Sequence, residues 1–172
     1  MMMLGIFCVG FLVRRVDKKL LATSLTFITA FCLFSFYFIP KEMYGLMLAV
    51  NAVGSFMMGP TSALTWSMYG DVADYGQFKF GRRSTGLIHS ASLFSLKTGS
   101  MLAGLIGGWM LSWFGFIANQ DQSKLSLFGI TLMFSIIPAL FAVCKAVSLW
   151  IYPLDRDKIH EIEKELAKRA KP

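Results

Sequence analysis

Apolar residues fill long runs of this chain, and charges gather in the short stretches between them. Residues 20–39, 43–69, 87–116 and 125–152 are each predominantly apolar over more than the ~18 positions that mark a helix able to cross a bilayer. Residues 1–13 form a shorter apolar run. It falls below the ~20 residues of a full crossing and reads as the end of a helix that begins earlier. Pro40 closes the first full run, and Gly59-Pro60 interrupts the second. The polar turn IANQDQSK, residues 117–124, separates the last two. Beyond them, residues 153–172 are rich in charge, with Ile159, Ile162 and Leu166 recurring at helical spacing, the pattern of an amphipathic helix with a narrow apolar stripe. The expected fold class is all-α: a polytopic transmembrane helix bundle with four complete spans, part of a fifth and an amphipathic tail.

Composition agrees with that pattern. Hydrophobic residues make up 55% of the 172, and the mean hydropathy is +0.58, values that argue against an ordinary soluble domain. The net charge of +7 does not imply nucleic acid, because Lys and Arg sit in clusters between apolar runs and make no basic face on a soluble fold. The stretches at 14–19 and 70–85, together with the tail, carry thirteen basic residues, whereas the alternate turns at 40–42 and 117–124 carry only Lys41 and Lys124. The positive-inside bias therefore places the first set, and with it the C-terminus, in the cytoplasm. The three cysteines, Cys8, Cys32 and Cys144, lie in separate apolar runs, a spacing for neither a disulfide framework nor a metal site. The N-terminus has no basic region before its apolar run and does not read as a signal peptide.

Two lysines fall inside the apolar runs. Lys145 lies about two helical turns from the end of its run, within reach of the interface for a long side chain. Lys97 lies near the middle of its run, where a lysine costs roughly 2.5–3.5 kcal/mol on insertion scales and normally turns toward the bundle interior and a counter-charge. No Asp or Glu occurs within the complete spans, so that counter-charge is expected from other helices or from a solute; a purely structural ion pair is the alternative. Near Lys97 on its helix lie Ser90, Leu93, Ser100 and Gly104. Ser100, Gly104 and Gly108 repeat every fourth residue, a spacing that lets helices approach closely in lipid. In the preceding span Asn51, Ser55, Ser62 and Trp66 share a polar side, and Gly59-Pro60 between them marks either a broken helix lining a transport site or a packing kink. His89 reads as an interfacial residue. There is no phosphate-cradling loop, no HExxH pair, no metal-spaced Cys/His cluster and no nucleophile elbow, so neither an enzyme nor a resident cofactor is expected.

The densest charge lies in YGDVADYGQFKFGRRSTG, residues 69–86, expected to be a loop. The set Asp71-x-x-Asp74-Tyr75-Gly76-x-x-Lys79-x-Gly81-x-Arg83-x-x-Gly86, followed eleven residues later by Lys97-x-Gly99, resembles the C-terminal half of the glycoside–pentoside–hexuronide:cation symporters, a family of the major facilitator superfamily. RRVDKK, residues 14–19, is similar to a reduced form of that superfamily's cytoplasmic motif between spans eight and nine. The resemblance aligns the chain with the end of span eight through span twelve of a twelve-helix transporter, and implies a missing N-terminal half. It implies cation-coupled symport, by alternating access, of a sugar, glycoside or sugar-like solute, with Na+ or H+ as coupling ion, across a bacterial inner membrane. It further implies that Asp71, Asp74, Tyr75, Lys79, Arg82 and Arg83 belong to a cytoplasmic gate, and that Lys97 lies near the sugar and cation site with Ser92, Leu93 and Leu96 around it. The rival expectation is a truncated or structural four-span membrane protein without transport activity of its own.

Overall fold

The computed structural model describes residues 1–13, 16–40 and 42–169. Of the charges counted above, Arg14, Arg15, Lys41 and Lys171 lie outside these residues. The described residues form seven helices: α1 (Met2–Leu12), α2 (Lys18–Ser35), α3 (Tyr44–Phe80), α4 (Thr85–Trp113), α5 (Lys124–Phe134), α6 (Ile136–Ile151) and α7 (Arg156–Arg169). Three stretches, Lys18–Ser35, Tyr44–Phe80 and Lys124–Ile151, are long and apolar enough to cross a membrane. Helix α4, at 29 residues, is also long enough. Lys97 and its many Ser and Gly residues make it less apolar.

Local chemistry sets the helix ends. The Asp17 carboxylate caps α2 by accepting from the Lys19 amide at 3.0 Å, and the Ser123 hydroxyl caps α5 by accepting from the Ser126 amide at 3.1 Å. Both satisfy amides that a first helical turn leaves without partners. Helix α3 stops at Gly81, whose φ of 70° is the left-handed conformation that glycine adopts without steric cost.

Three expectations change here. The segment 70–85, expected as a loop, is helical as far as Phe80, and only 81–84 connect α3 to α4. Charge ends a membrane span, but it does not end a helix: no proline follows Tyr69 before Gly81, and Gly70 and Gly76 keep helical backbone within α3, so the ladder continues beyond the apolar run. Gly59-Pro60 likewise leaves α3 continuous. Pro60 has no amide proton to offer the Phe56 carbonyl, and Gly5 of α1 lies directly against that oxygen. On the other side Gly59 lies against the Met2 carbonyl. Two glycines thus bring the backbones of α1 and α3 together where the ladder lacks a donor. Within the expected span over 125–152, which remains one apolar stretch, the helix is interrupted at Ser135 to give α5 and α6, in the turn that the Pro138 ring crowds.

The core sits toward the end of the bundle where α1 finishes and α2 begins. Val9, Leu21, Ala22, Leu64 and Met68 form its buried centre, with Val13, Val16, Leu149 and Tyr152 packed around it. Helix α2 packs mainly on α6 and α3, and α1 on α3. The buried residues of the α2 and α6 faces are mostly small, among them Ala22, Thr26 and Ala30 on α2 and Ala139 and Ala146 on α6, which allows close approach in lipid. Outside this core, large apolar side chains such as Phe7, Phe31, Phe94 and Trp113 are exposed, the surface of a chain solvated by hydrocarbon or by further helices. Helix α4 buries no residue at all.

The α1–α3 crossing leads to a stability prediction. Gly5→Ala adds a methyl group where backbone and ring atoms already stand, whereas nothing lies within 4 Å of the same position at Gly10. Gly5→Ala is expected to cost about 1–3 kcal/mol and Gly10→Ala far less; thermal unfolding of both variants in detergent measures the difference, and equal behaviour refutes the close crossing.

Candidate functional site: a hydroxyl-lined cavity above a charged helix end

Two features lie in line along the bundle. The first is the charged end, formed by the start of α2, the extension of α3 and the tail. Lys18 donates to both carboxylate oxygens of Asp71 at 3.1 Å, with the Asp71 side chain only 11% exposed. Lys18 lies one turn before Leu21 and Asp71 one turn beyond Met68, so the pair continues the same packed α2–α3 face into the polar zone. Arg83 reaches back to Asp74 at 2.8 Å across the α3–α4 connection. Lys19 pairs with Asp155 at 3.0 Å, tying the tail to α2. Helix α7 lies on α3, with Ile162 buried and Ile159 and Leu166 half-buried. Its Arg169 donates to the Phe78 carbonyl at 3.3 Å and stands 5.2 Å over the Phe78 ring. Lys79 lies within 6 Å of the Tyr75 and Phe80 rings, at 5.8 and 5.5 Å. Arg82 is exposed.

The second feature is a cavity of about 740 Å3 among α2, α3, α4 and α6, within the ~300–1,000 Å3 typical of small-molecule sites. Its wall carries Thr26 and Thr29 from α2, Thr61, Ser62 and Thr65 from α3, and Ser92 and Ser95 from α4. Five of these hydroxyls donate to the carbonyl one turn earlier in their own helix: Thr26 to Ala22 at 2.7 Å, Thr29 to Leu25 at 2.9 Å, Thr61 to Met57 and Thr65 to Thr61 at 2.8 Å, and Ser92 to Ile88 at 2.7 Å. With the proton committed to the backbone, each oxygen keeps its lone pairs for a guest, so this part of the wall accepts hydrogen bonds. Donors come from Lys145, Trp66 and Tyr69, which also line the cavity. Trp66 stacks on His89 at 5.9 Å, and Tyr69 meets both rings edge-on at 5.5 and 6.2 Å. This aromatic cluster stands between the cavity and the charged end.

The structure divides the α4 residues expected to act together. Ser92 and Leu96 line the cavity. Lys97 lies on the opposite side of the helix, because at ~100° per residue it falls almost half a turn from the centre of the cavity-lining set. Leu93 also lies outside the cavity wall, and Lys97 is exposed with no ion pair among the described residues. The small-residue stripe belongs to the same open side: no atom of another element lies within 4 Å of a side chain built at Gly104 or Gly108. Asn51 and Ser55 likewise stand apart from the cavity, whereas Ser62 and Trp66 line it. Asp71 and Asp74, expected in a cytoplasmic gate, each hold a basic partner within this chain.

Sequence reasoning missed the partners Lys18, Lys19, Asp155 and Arg169, and the place of Lys145 at the edge of the cavity. The signal for Lys18 was present: the basic cluster opens one span and the acidic cluster follows the next, which brings both to the same end of the bundle. Nothing in the spacing of Lys145 distinguished a cavity from the lipid interface.

The family model described as MFS/sugar transport protein matches residues 1–156. Among curated relatives, "Putative glycoside/cation symporter YagG" of Escherichia coli is 30% identical over 96% of this chain and 36% of its own length. "Uncharacterized symporter YnaJ" of Bacillus subtilis is 32% identical over 90% of this chain and 33% of its own. "Glucuronide carrier protein homolog" of Escherichia coli is 31% identical over 79% of this chain and 30% of its own. The chain spans about a third of the length of these relatives. No solved structure gives a significant match.

The unequal burial of the two ion pairs predicts unequal coupling. Removing either member of the Lys18–Asp71 pair leaves a mostly buried group unsatisfied, expected to cost about 1–3 kcal/mol. The Asp74–Arg83 pair, with Arg83 57% exposed, is expected to contribute about 0–1 kcal/mol. Double-mutant cycles of Lys18→Gln with Asp71→Asn, and of Arg83→Gln with Asp74→Asn, read out by unfolding in detergent, check the order; a larger coupling at the second pair reverses it.

Proposed function

This chain belongs to the family of MFS/sugar transport proteins, and from that premise we propose that it forms the C-terminal helices, from the end of span eight through span twelve, of a secondary active transporter. In this reading the transporter couples a sugar, glycoside or sugar-like solute to Na+ or H+ and moves it by alternating access. On the same reading it lies in a bacterial inner membrane with its charged end and C-terminus in the cytoplasm, an orientation that the distribution of Lys and Arg supports. Relatives bearing the names of a glycoside/cation symporter and a glucuronide carrier support the solute class.

The observation that carries the reading is the position of α4. It is a 29-residue helix that buries nothing, with a hydroxyl-lined cavity on one side and Lys97 above a small-residue stripe on the other. A helix so placed is complete only when a second bundle covers its open side. An N-terminal set of helices bringing a carboxylate to Lys97 would meet both needs, since an intramembrane ammonium without a counter-charge is costly. The ion pairs at the charged end then act as the gate. Pairs that contribute little individually can hold in one state and exchange partners in the other, and Asp74 with the exposed Arg83 is the pair best placed to do so. Asp71, Tyr75, Lys79 and Arg82 share that end, while Ser92, Leu93 and Leu96 lie on the α4 turns beside Lys97.

Uptake of a panel of labelled sugars by the intact protein, with and without a Na+ or proton gradient, tests the function as a whole. In the same assay Lys97→Ala is expected to abolish gradient-driven accumulation while membrane insertion, measured by surface labelling, stays intact; undiminished accumulation excludes a coupling role. Asp74→Asn is expected to slow turnover by about tenfold with much smaller loss of solute affinity, as for a residue acting in a conformational step. Parallel loss of rate and affinity counts against gating.

A further inference from the structure

The charged end holds one buried donor that no acceptor uses. Tyr152 follows the last residue of α6 and packs on the buried core that includes Leu21 and Met68. Lys18 lies one turn before Leu21 and Asp71 one turn beyond Met68, so the ring stands against the faces that carry the ion pair. Its hydroxyl is buried and has no hydrogen-bond partner among the described residues. Asp71 is the charged group whose field acts on it. A buried O–H without an acceptor has lost its hydration and gained no bond in return, so its presence in a packed region calls for a reason.

The Lys18–Asp71 pair supplies that reason, because its two members are unequally free to move. The Lys18 side chain is 31% exposed and that of Asp71 11%. A lysine on its flexible stem can swing to water and be rehydrated, whereas the short carboxylate stays where the backbone of α3 holds it. The contact is also loose, at 3.1 Å to each oxygen against the ~2.7–2.9 Å of a tight ammonium–carboxylate bond. Withdrawal of Lys18 leaves Asp71 as a mostly buried charge in need of a donor. We propose that Tyr152 is the second partner of Asp71: its phenol donates to the carboxylate in the conformation in which Lys18 has withdrawn, so the charged end has two satisfied positions rather than one. The inference rests on the reading of that end as a gate and names the residue that lets its more buried pair open. Tyr152 lies outside the cavity wall and acts through Asp71, as a positioning residue. The three groups stand on α2, α3 and the end of α6, so the exchange takes place within this bundle.

The test uses the intact protein and Tyr152→Phe, which removes the hydroxyl and keeps the ring. With Lys18 in place the hydroxyl has no bond to lose, so Tyr152→Phe is expected to melt in detergent at the temperature of the parent or slightly above it. In a Lys18→Met background, where position 18 has no donor, Asp71 turns to the phenol. There the same substitution is expected to lower the melting temperature by several degrees. In gradient-driven uptake Tyr152→Phe alone is expected to lose about tenfold in maximal rate, with less than about twofold change in the half-saturating solute concentration, the mark of a conformational step. Equal destabilisation in both backgrounds overturns the inference by showing that the hydroxyl already has a structural partner. No destabilisation in either background overturns it by showing that the hydroxyl never acquires one. Should Lys18→Met not fold, the uptake rate of Tyr152→Phe decides alone, and an undiminished rate overturns the inference. Background-dependent melting in a protein without gradient-driven uptake leaves the exchange standing and removes the transport reading. Uptake at full rate in Tyr152→Phe does the reverse.

Discussion

Lys18 and Asp71 meet where hydrocarbon gives way to water, and much of the arrangement follows from that contact. The ammonium reaches both oxygens of a carboxylate that is almost out of solvent. One turn inward the same faces of α2 and α3 are closed by Leu21 and Met68, part of the buried core that also holds Val9, Ala22 and Leu64. Apolar packing alone is a weak guide in lipid, because a leucine contacts a neighbouring helix and an acyl chain with similar energy. A half-buried ion pair is more selective about position. It holds α2 and α3 in register at one end, while small residues on α2 and α6 allow close approach along their length.

That register explains why the charged end and the cavity form one line. With α2 and α3 fixed against each other, Thr26 and Thr29 face Thr61 and Thr65 across a common space. Their hydroxyls turn to their own backbones, as such side chains do in apolar surroundings, and their oxygens add acceptors to a wall that Leu33, Met58, Leu96 and Ala142 otherwise make apolar. Between this wall and the ion pairs, Trp66, Tyr69 and His89 pack ring on ring. A change of partner at the charged end therefore has a short physical route to the cavity, through the last turns of α3. The tail adds a brace, since Lys19 with Asp155 and Arg169 with Phe78 tie α7 to both helices.

Helix α4 shows the opposite situation. Its small-residue stripe and Lys97 lie open, and Ser92 and Leu96 turn the other way. On a helix, residues five positions apart point in quite different directions, so closeness in sequence to Lys97 did not make a residue its neighbour in space. The two lysines within the spans therefore lie on separate surfaces, Lys145 at the edge of the cavity and Lys97 on the far side of α4, both exposed.

The apolar runs and the clustering of Lys and Arg were enough to reveal an all-helical membrane bundle and the end that carries charge, because the bilayer imposes length and composition on each segment independently of its neighbours. The Asp71 to Arg83 spacing and Lys97 were legible for the same reason: charges in a greasy chain stand out without any knowledge of packing. Three features depended on tertiary structure. Helix α3 runs on to Phe80, because polarity stops a span while only backbone chemistry, here Gly81, stops a helix. Asp71 takes Lys18 as its partner across 53 positions of sequence. Lys145, though exposed, borders the cavity that the hydroxyls line, since the place of a side chain within the membrane is set by which helices stand beside it, and local sequence does not record that.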